Sequence, residues 1–342
     1  MNKVIKSFTI IALGFGISAI ASDALIQKAQ KAGLQPIPKD KEALNKLIDN
    51  PKNKLTPEKI ELGKKLYFDP RLSKSALISC NTCHNLAIGG DDNVPVATGH
   101  KWTPNPHHLN SPTVYNAVFN QKQFWDGRSP DLEDQATGPI QAPPEMDMHK
   151  EMAVKVVKSI PEYVEEFKKA YPNEKITIET IGKAIGAFER TLVTPSRYDD
   201  FLNGDEKALS KEEKEGLKTF IQVGCAGCHN GVGLGGSMQP FPVAKPYKYA
   251  NVGDFKGDKN GMVKTPTLRN IAETAPYFHN GEVWSLEEAI KIMGETQLGK
   301  ELSDKEVKSI ATFLNSLTGK KPKIEYPILP NSTKDTPKPN LD

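Results

Sequence analysis

The sequence predicts a mainly α-helical protein made of two similar units, with few strands and with long loops that wrap bound groups. Three observations lead there. Ser and Thr residues placed to cap helices recur along the 342 residues. The pattern Cys-x-x-Cys-His occurs once in each half, at Cys80-Asn81-Thr82-Cys83-His84 and at Cys225-Ala226-Gly227-Cys228-His229, and uses every cysteine of the chain. Stretches rich in Gly, Pro, Asn and Asp, at 89–112, 129–144 and 231–266, separate the helical segments. Loops of such length inside a compact domain have a function or are disordered, and we read these as ordered loops around a large ligand.

In chain order, Lys3 and Lys6 precede an apolar run over residues 8–20, and Ala19-Ile20-Ala21 has the small-x-small form cut by signal peptidase. Residues 1–21 are expected to be a signal peptide cleaved near Ala21, which places the mature protein in the periplasm. The run is too short for a membrane span, which needs about 20 apolar residues. Thr56 caps a helix starting at Pro57, with Ile60, Leu62 and Leu66 as apolar positions up to Asp69-Pro70. A helix over 178–192 sets Ile181, Ile185, Phe188 and Leu192 on one face. Ser210 with Glu213, Ser285 with Glu288 and Ser303 with Glu306 form capping boxes, each hydroxyl and carboxylate satisfying an otherwise orphan amide. The first of these helices carries Leu217, Phe220 and Ile221 into the second Cys-x-x-Cys-His. The second places Met293 on a face with Ala289 and Ile290, and Gly294 is expected to end it. The third carries Val307, Ile310, Phe313, Leu314 and Leu317. The units divide near Pro195-Ser196 into 22–195 and 196–320, and the Pro-rich tail 321–342 packs back on the first unit or hangs free.

Cys-x-x-Cys-His is the attachment signature of a c-type haem. Two thiols three apart can form thioethers with the two haem vinyl groups, and the next residue projects an imidazole at the iron from the same face. A redox-active dithiol or half of a four-cysteine zinc site would use similar residues. Two copies that consume all the cysteines favour two covalently bound haems c, hence two diverged cytochrome c-like domains. The remaining axial ligand sets what each haem does. Beyond His229 the candidates are Met238, Met262, Met293 and His279; beyond His84 they are His100, His107, His108 and His149, with His107 and His108 expected to be solvent-exposed. The formal charge of +3 drops to +1 without Lys3 and Lys6. Lys and Glu are interspersed, so no footprint for nucleic acid is present.

Several further blocks resemble the bacterial dihaem cytochrome c peroxidase family, in one order and over nearly the whole mature chain. They are Gly99-His100-Lys101-Trp102, Asn110-Ser111-Pro112-Thr113-Val114-Tyr115-Asn116, Gln123-Phe124-Trp125-Asp126-Gly127-Arg128, Ala187-Phe188-Glu189-Arg190-Thr191-Leu192, Lys264-Thr265-Pro266-Thr267-Leu268-Arg269-Asn270, Pro276-Tyr277-Phe278-His279-Asn280-Gly281 and Met293-Gly294. The resemblance implies reduction of hydrogen peroxide to water, with electrons from a monohaem cytochrome c or a cupredoxin. Met293 matches the axial methionine of the second, electron-entry haem, where a thioether gives a high potential. His100 matches a distal ligand of the first haem that leaves when the other haem is reduced. Glu145 matches the acid–base glutamate, with Gln135 beside it as a positioning group. Trp125 matches an aromatic residue between the haems, an electron route or a packing spacer. The family's calcium ion implies Asn110, Thr274 and Pro276 as ligands, and homodimers are common. Two other functions use the same motifs: a non-enzymatic dihaem electron carrier, in which Glu145 and Gln135 have no task, and a dihaem enzyme of the same superfamily that oxidises tryptophans of a partner protein. The latter has tyrosine where Met293 stands.

Overall fold

The structure, a computed structural model, describes residues 24–342; the expected signal peptide lies outside the described residues. The helices in chain order are α1 (Ala24–Lys31), α2 (Lys41–Ile48), α3 (Pro57–Phe68), α4 (Cys80–Cys83), α5 (Leu132–Gln135), α6 (Thr137–Gln141), α7 (Lys150–Lys158), α8 (Pro161–Ala170), α9 (Ile178–Glu189), α10 (Arg197–Leu202), α11 (Lys211–Val223), α12 (Leu286–Leu298) and α13 (Asp304–Asn315). Strands β1 (Met238–Pro240) and β2 (Met262–Lys264) pair antiparallel, with Gln239 opposite Val263. Among the described residues no helix is long and apolar enough to cross a membrane.

The caps act largely as their chemistry requires. Thr56 Oγ1 accepts from Lys59 N at 3.3 Å and starts α3, and the boxes at Ser210 and Ser303 are complete. At Ser285 only half of the expected box forms: the hydroxyl accepts from Glu288 N, but the Glu288 carboxylate turns to Lys248 at 3.5 Å. Helix α12 does not end at Gly294 as the sequence suggests. It runs on to Leu298 and stops at Gly299, whose φ of +65° suits a residue without Cβ. Gly294 serves packing instead, because a Cβ there would come within 2.8 Å of Leu302. The stretch 129–144 contains α5 and α6, started by the Asp131 carboxylate on Asp134 N at 2.9 Å.

Each unit is built on one pair of crossed helices brought together at a glycine. In the first, Gly63 of α3 faces the Ala184 carbonyl of α9 so closely that a Cβ would lie 1.9 Å from the oxygen, and Tyr67 meets Phe188 edge to face at 5.3 Å. In the second, Gly216 of α11 faces the Ser309 carbonyl of α13, with Phe220 and Phe313 5.3 Å apart. The first core runs from Leu62 to Leu192. The second takes in residues from Tyr198 to Leu317, and also Ile26, Ala29 and Leu34. Thus α1 and the chain after it, which the sequence reading places with the first unit, pack on the second, and Ile37 N donates to the Asp199 carboxylate at 2.7 Å. The tail lies on the first unit: Tyr326 packs on Phe68 at 4.9 Å, Arg71 donates to Ser332 Oγ at 2.9 Å, and Asn340 N donates to Lys74 O at 2.8 Å.

Candidate haem sites and the path between them

The second Cys-x-x-Cys-His follows directly on α11, whereas residues 69–79 separate the first from α3. A carbonyl can only accept, so the 2.9 Å contact of His84 Nδ1 with Pro112 O makes Nδ1 the protonated nitrogen and leaves Nε2 as a ligand. His229 Nδ1 donates in the same way to Leu234 O at 3.2 Å. Burial pushes both imidazoles down to about 4, so they are neutral and able to bind a metal. Burial pushes the Cys83 thiol up to about 12 and Cys225 up to about 11, and raises Cys80 and Cys228 as well. A reactive dithiol needs the opposite shift.

The loops after the motifs repeat one another closely. Thr113 Oγ1 donates to Gly89 O at 2.7 Å and accepts from Tyr115 N. Thr267 Oγ1 donates to Gly233 O at 2.6 Å and accepts from Arg269 N. Asn116 and Asn270 both turn left-handed, at φ +63° and +61°, as do Phe124 and Phe278 at +64° and +67°. Isolated bridges close each loop, Gln123 with Ser129 and Tyr277 with Val283. In this repeat Trp125 stands where His279 stands, and the two rings meet edge to face at 6.3 Å. The backbones cross-link reciprocally: Asn110 N donates to His279 O and Lys264 N to Trp125 O, each at 2.8 Å. A pseudo-two-fold axis therefore runs between the units at Trp125 and His279.

One apolar cleft gathers Cys225, Cys228, His229 and Met293, and extends to Trp125 and Lys264. Of the four candidates opposite His229, the structure brings Met293 to this cleft. The Met238 sulfur packs on Gly127, Met262 pairs with Pro240 in the sheet, and His279 sits among Phe241, Tyr247 and Phe255. Thiols, an imidazole with free Nε2, a thioether and apolar helix walls together fit a covalently held haem.

Around the first motif, Tyr67 Oη donates to His84 O and Cys83 Sγ lies 3.6 Å from Thr98 O. His100 N donates to Glu145 O at 2.7 Å, which brings those two residues together through the backbone. The buried His100 imidazole has Nε2 3.5 Å from Asp147 Oδ2, and Asp147 is held by Lys74 at 2.8 Å. Burial raises the Glu145 carboxyl above the usual range, against the pull of Arg128 and His107. Gln135 ends α5 half-buried, and no hydrogen bond among the described residues ties it to Glu145. His149 is exposed beside Glu151. His107 is exposed as expected and His108 half-exposed, and they pair with Asp254 at 2.8 Å and Glu282 at 3.0 Å, carboxylates of the second unit.

Trp125 Nε1 donates to Asn110 O at 2.9 Å. The Asn110 side chain reaches Pro276 O at 2.7 Å, and Asn110, Thr274 and Pro276 share one end of the cleft. An ion there would need Oδ1 of Asn110, in place of Nδ2, to face the carbonyls. Sequence reasoning missed Lys264; the signal was the repeated Pro-Thr-x-x-Asn and Phe-x-x-Gly pattern, which pairs position 264 with position 110.

Two such motifs, one in each unit and each with a buried histidine whose Nε2 is free to ligate, define a dihaem c-type cytochrome. The profile of the di-haem cytochrome c peroxidase family matches residues 57–207, and that of cytochrome c matches 213–318. The chain is 47% identical over 342 residues to the cytochrome c551 peroxidase of Pseudomonas aeruginosa, covering 96% of each. It is 44% identical over 344 residues to that of Nitrosomonas europaea, covering 97% of this chain and 98% of that one. The methylamine utilization protein MauG of Methylorubrum extorquens is 34% identical over 315 residues, covering 83% of this chain and 85% of that one. Among solved structures, a MauG-like protein associated with microbial copper homeostasis superposes with a TM-score of 0.68 at 28% identity, over 79% of this chain and 92% of that one. The chain belongs to the dihaem cytochrome c peroxidase family: it is an oxidoreductase acting on peroxide, it carries two haems c, and it takes its electrons from a redox protein.

Proposed function

We propose that peroxide is reduced at the His84 haem while electrons enter at the haem held by His229 and Met293. The observation that carries this division is the difference in distal residues. Met293 projects from the continuous helix α12 into the second cleft, whereas His100 sits on an irregular loop with its imidazole engaged by Asp147. A ligand on a loop can leave its metal; one on a packed helix is held. Asp147 is then the resting place of the released imidazole.

The haem, when bound, supplies the iron at which the peroxide O–O bond is cleaved with two electrons. His84, its ring fixed by Pro112 O, would hold that iron through Nε2. Glu145 accepts the proton of one peroxide oxygen and delivers it to the other, which departs as water. A carboxyl raised by burial is matched to both halves of that task. Gln135 positions the peroxide, and Trp125, which touches the second cleft and bonds to Asn110, carries electrons across or spaces the two sites. Calcium at Asn110, Thr274 and Pro276 would clamp the same junction with oxygen ligands. The donor is a small monohaem cytochrome c or cupredoxin, in keeping with relatives named cytochrome c551 peroxidase. The residue pattern before Ala21 supports export to the periplasm.

The test is His100→Gly in the fully oxidised protein. If His100 gates the first haem, that haem turns high-spin and binds peroxide without prior reduction. An unaltered oxidised spectrum would sink the assignment.

A further inference from the structure

Lys264 is 3% exposed at the end of β2. It lines the cleft that gathers Cys225, Cys228, His229 and Met293, and its ammonium lies 5.9 Å from the centre of the Trp125 ring, which lines the same cleft. Among the described residues the ammonium itself makes no hydrogen bond or ion pair. The carboxylate that attracts it, Asp126, is already paired with Arg128 at 3.0 Å. An unpaired buried charge costs several kcal/mol unless an anion meets it. Burial does push this ammonium down, to about 8, yet that still leaves it mostly charged at neutral pH. Its charge also reaches the first site, where it helps to push His84 down.

The internal repeat says what kind of group belongs there. Positions 110 and 264 are equivalent, each two residues before the Pro of the Pro-Thr turn, each bonded through its backbone N–H to the ring-bearing residue of the other unit. In the first unit that position is the Asn110 amide, beside the carbonyls proposed to hold calcium. In the second it is an ammonium tethered to the chain.

We propose that Lys264 is a tethered cation that pairs with a carboxylate side chain of the haem seated on His229, fixing that carboxylate beside Trp125 and raising the potential of that haem. The inference rests on the assignment of this cleft to the His229 haem. A cation on the propionate offsets negative charge that would otherwise favour ferric iron. Lys264 acts through the cofactor's periphery, so it is a positioning residue for electron transfer between the two sites.

The experiment is a redox titration of the haem-loaded protein and of its Lys264→Met and Lys264→Arg variants. In the Met variant the equilibrium constant for reducing the His229 haem should fall by about 10-fold or more, the equivalent of one pKa unit of interaction, and the Arg variant should keep the parent value. A Met variant with the parent potential overturns the proposal, and so does an Arg variant that falls as far as the Met variant. The spectrum of methionine-ligated ferric haem in the parent is the control: if it is missing there, the cleft assignment has failed rather than this inference. If the Met variant takes up no haem, a crystal structure of the loaded parent decides. A carboxylate oxygen about 2.7–2.9 Å from Nζ supports the pairing, and a separation beyond about 4 Å overturns it.

Discussion

The two units meet the same packing problem with the same means. Helices α3 and α9 close on Gly63, α11 and α13 close on Gly216, and each unit then runs through a Cys-x-x-Cys-His into a loop pinned by a threonine hydroxyl on a glycine carbonyl. The differences lie in a few side chains hung on that shared frame. Trp125 is exchanged for His279 and Asn110 for Lys264, and the proposed distal ligands are a histidine on a loop and a methionine on a helix. The two units thus share a backbone frame and differ in the side chains hung on it. The frame is costly to change because its glycines and left-handed residues tolerate little else, whereas the cleft-facing side chains are free to specialise.

The largest expected break in this comparison is at Glu145, since among the described residues no Asp or Glu of the second unit lines its cleft. Glu145→Gln should slow peroxide turnover by about a hundredfold or more, because an amide cannot carry a proton between two oxygens. The haem spectra and potentials should stay as in the parent; steady-state rates at the parent value would remove Glu145 from the mechanism.

Making the units more alike is the next test. Met293→His gives the second haem two imidazoles, and its potential should fall toward that of the first, since a thioether favours ferrous iron. Potentiometry reads this directly, and an unmoved potential would return the ligand role to Met238, Met262 or His279.

The smallest effect concerns how each unit handles a buried acid. In the second, Asp199 is neutralised by Arg269 through two hydrogen bonds at 2.9 and 2.8 Å. In the first, Glu189 leaves Oε2 without a partner, and burial with help from Glu133 pushes it up to about 8. The folded state then binds the proton more tightly than the unfolded chain, so Glu189 lowers stability as pH rises from the ordinary glutamate range toward 8. Glu189→Gln should flatten the fall in melting temperature across that window, whereas an unchanged slope would place the titration elsewhere.

Much of this was legible one residue at a time. Capping needs only a hydroxyl and a nearby amide, so Thr56, Ser210 and Ser303 announce their helices locally. The short helices α5 and α6 escaped notice because a Gly- and Pro-rich stretch reads as loop unless the Asp131 cap is weighted. Helix α1 buries Ile26 and Ala29, and nothing local says which core will receive them.

By itself the sequence determined two haem attachment motifs and a helical frame for each, because these depend on spacing along the chain. It also held the family's blocks in order, and with them peroxide as substrate. Only the tertiary structure decided which candidate faces which cleft: Met293 over Met238, Met262 and His279, His100 lodged against Asp147, Lys264 buried between the sites. Those outcomes depend on distances between segments far apart in the chain, and such distances are set by how the two cores close on each other.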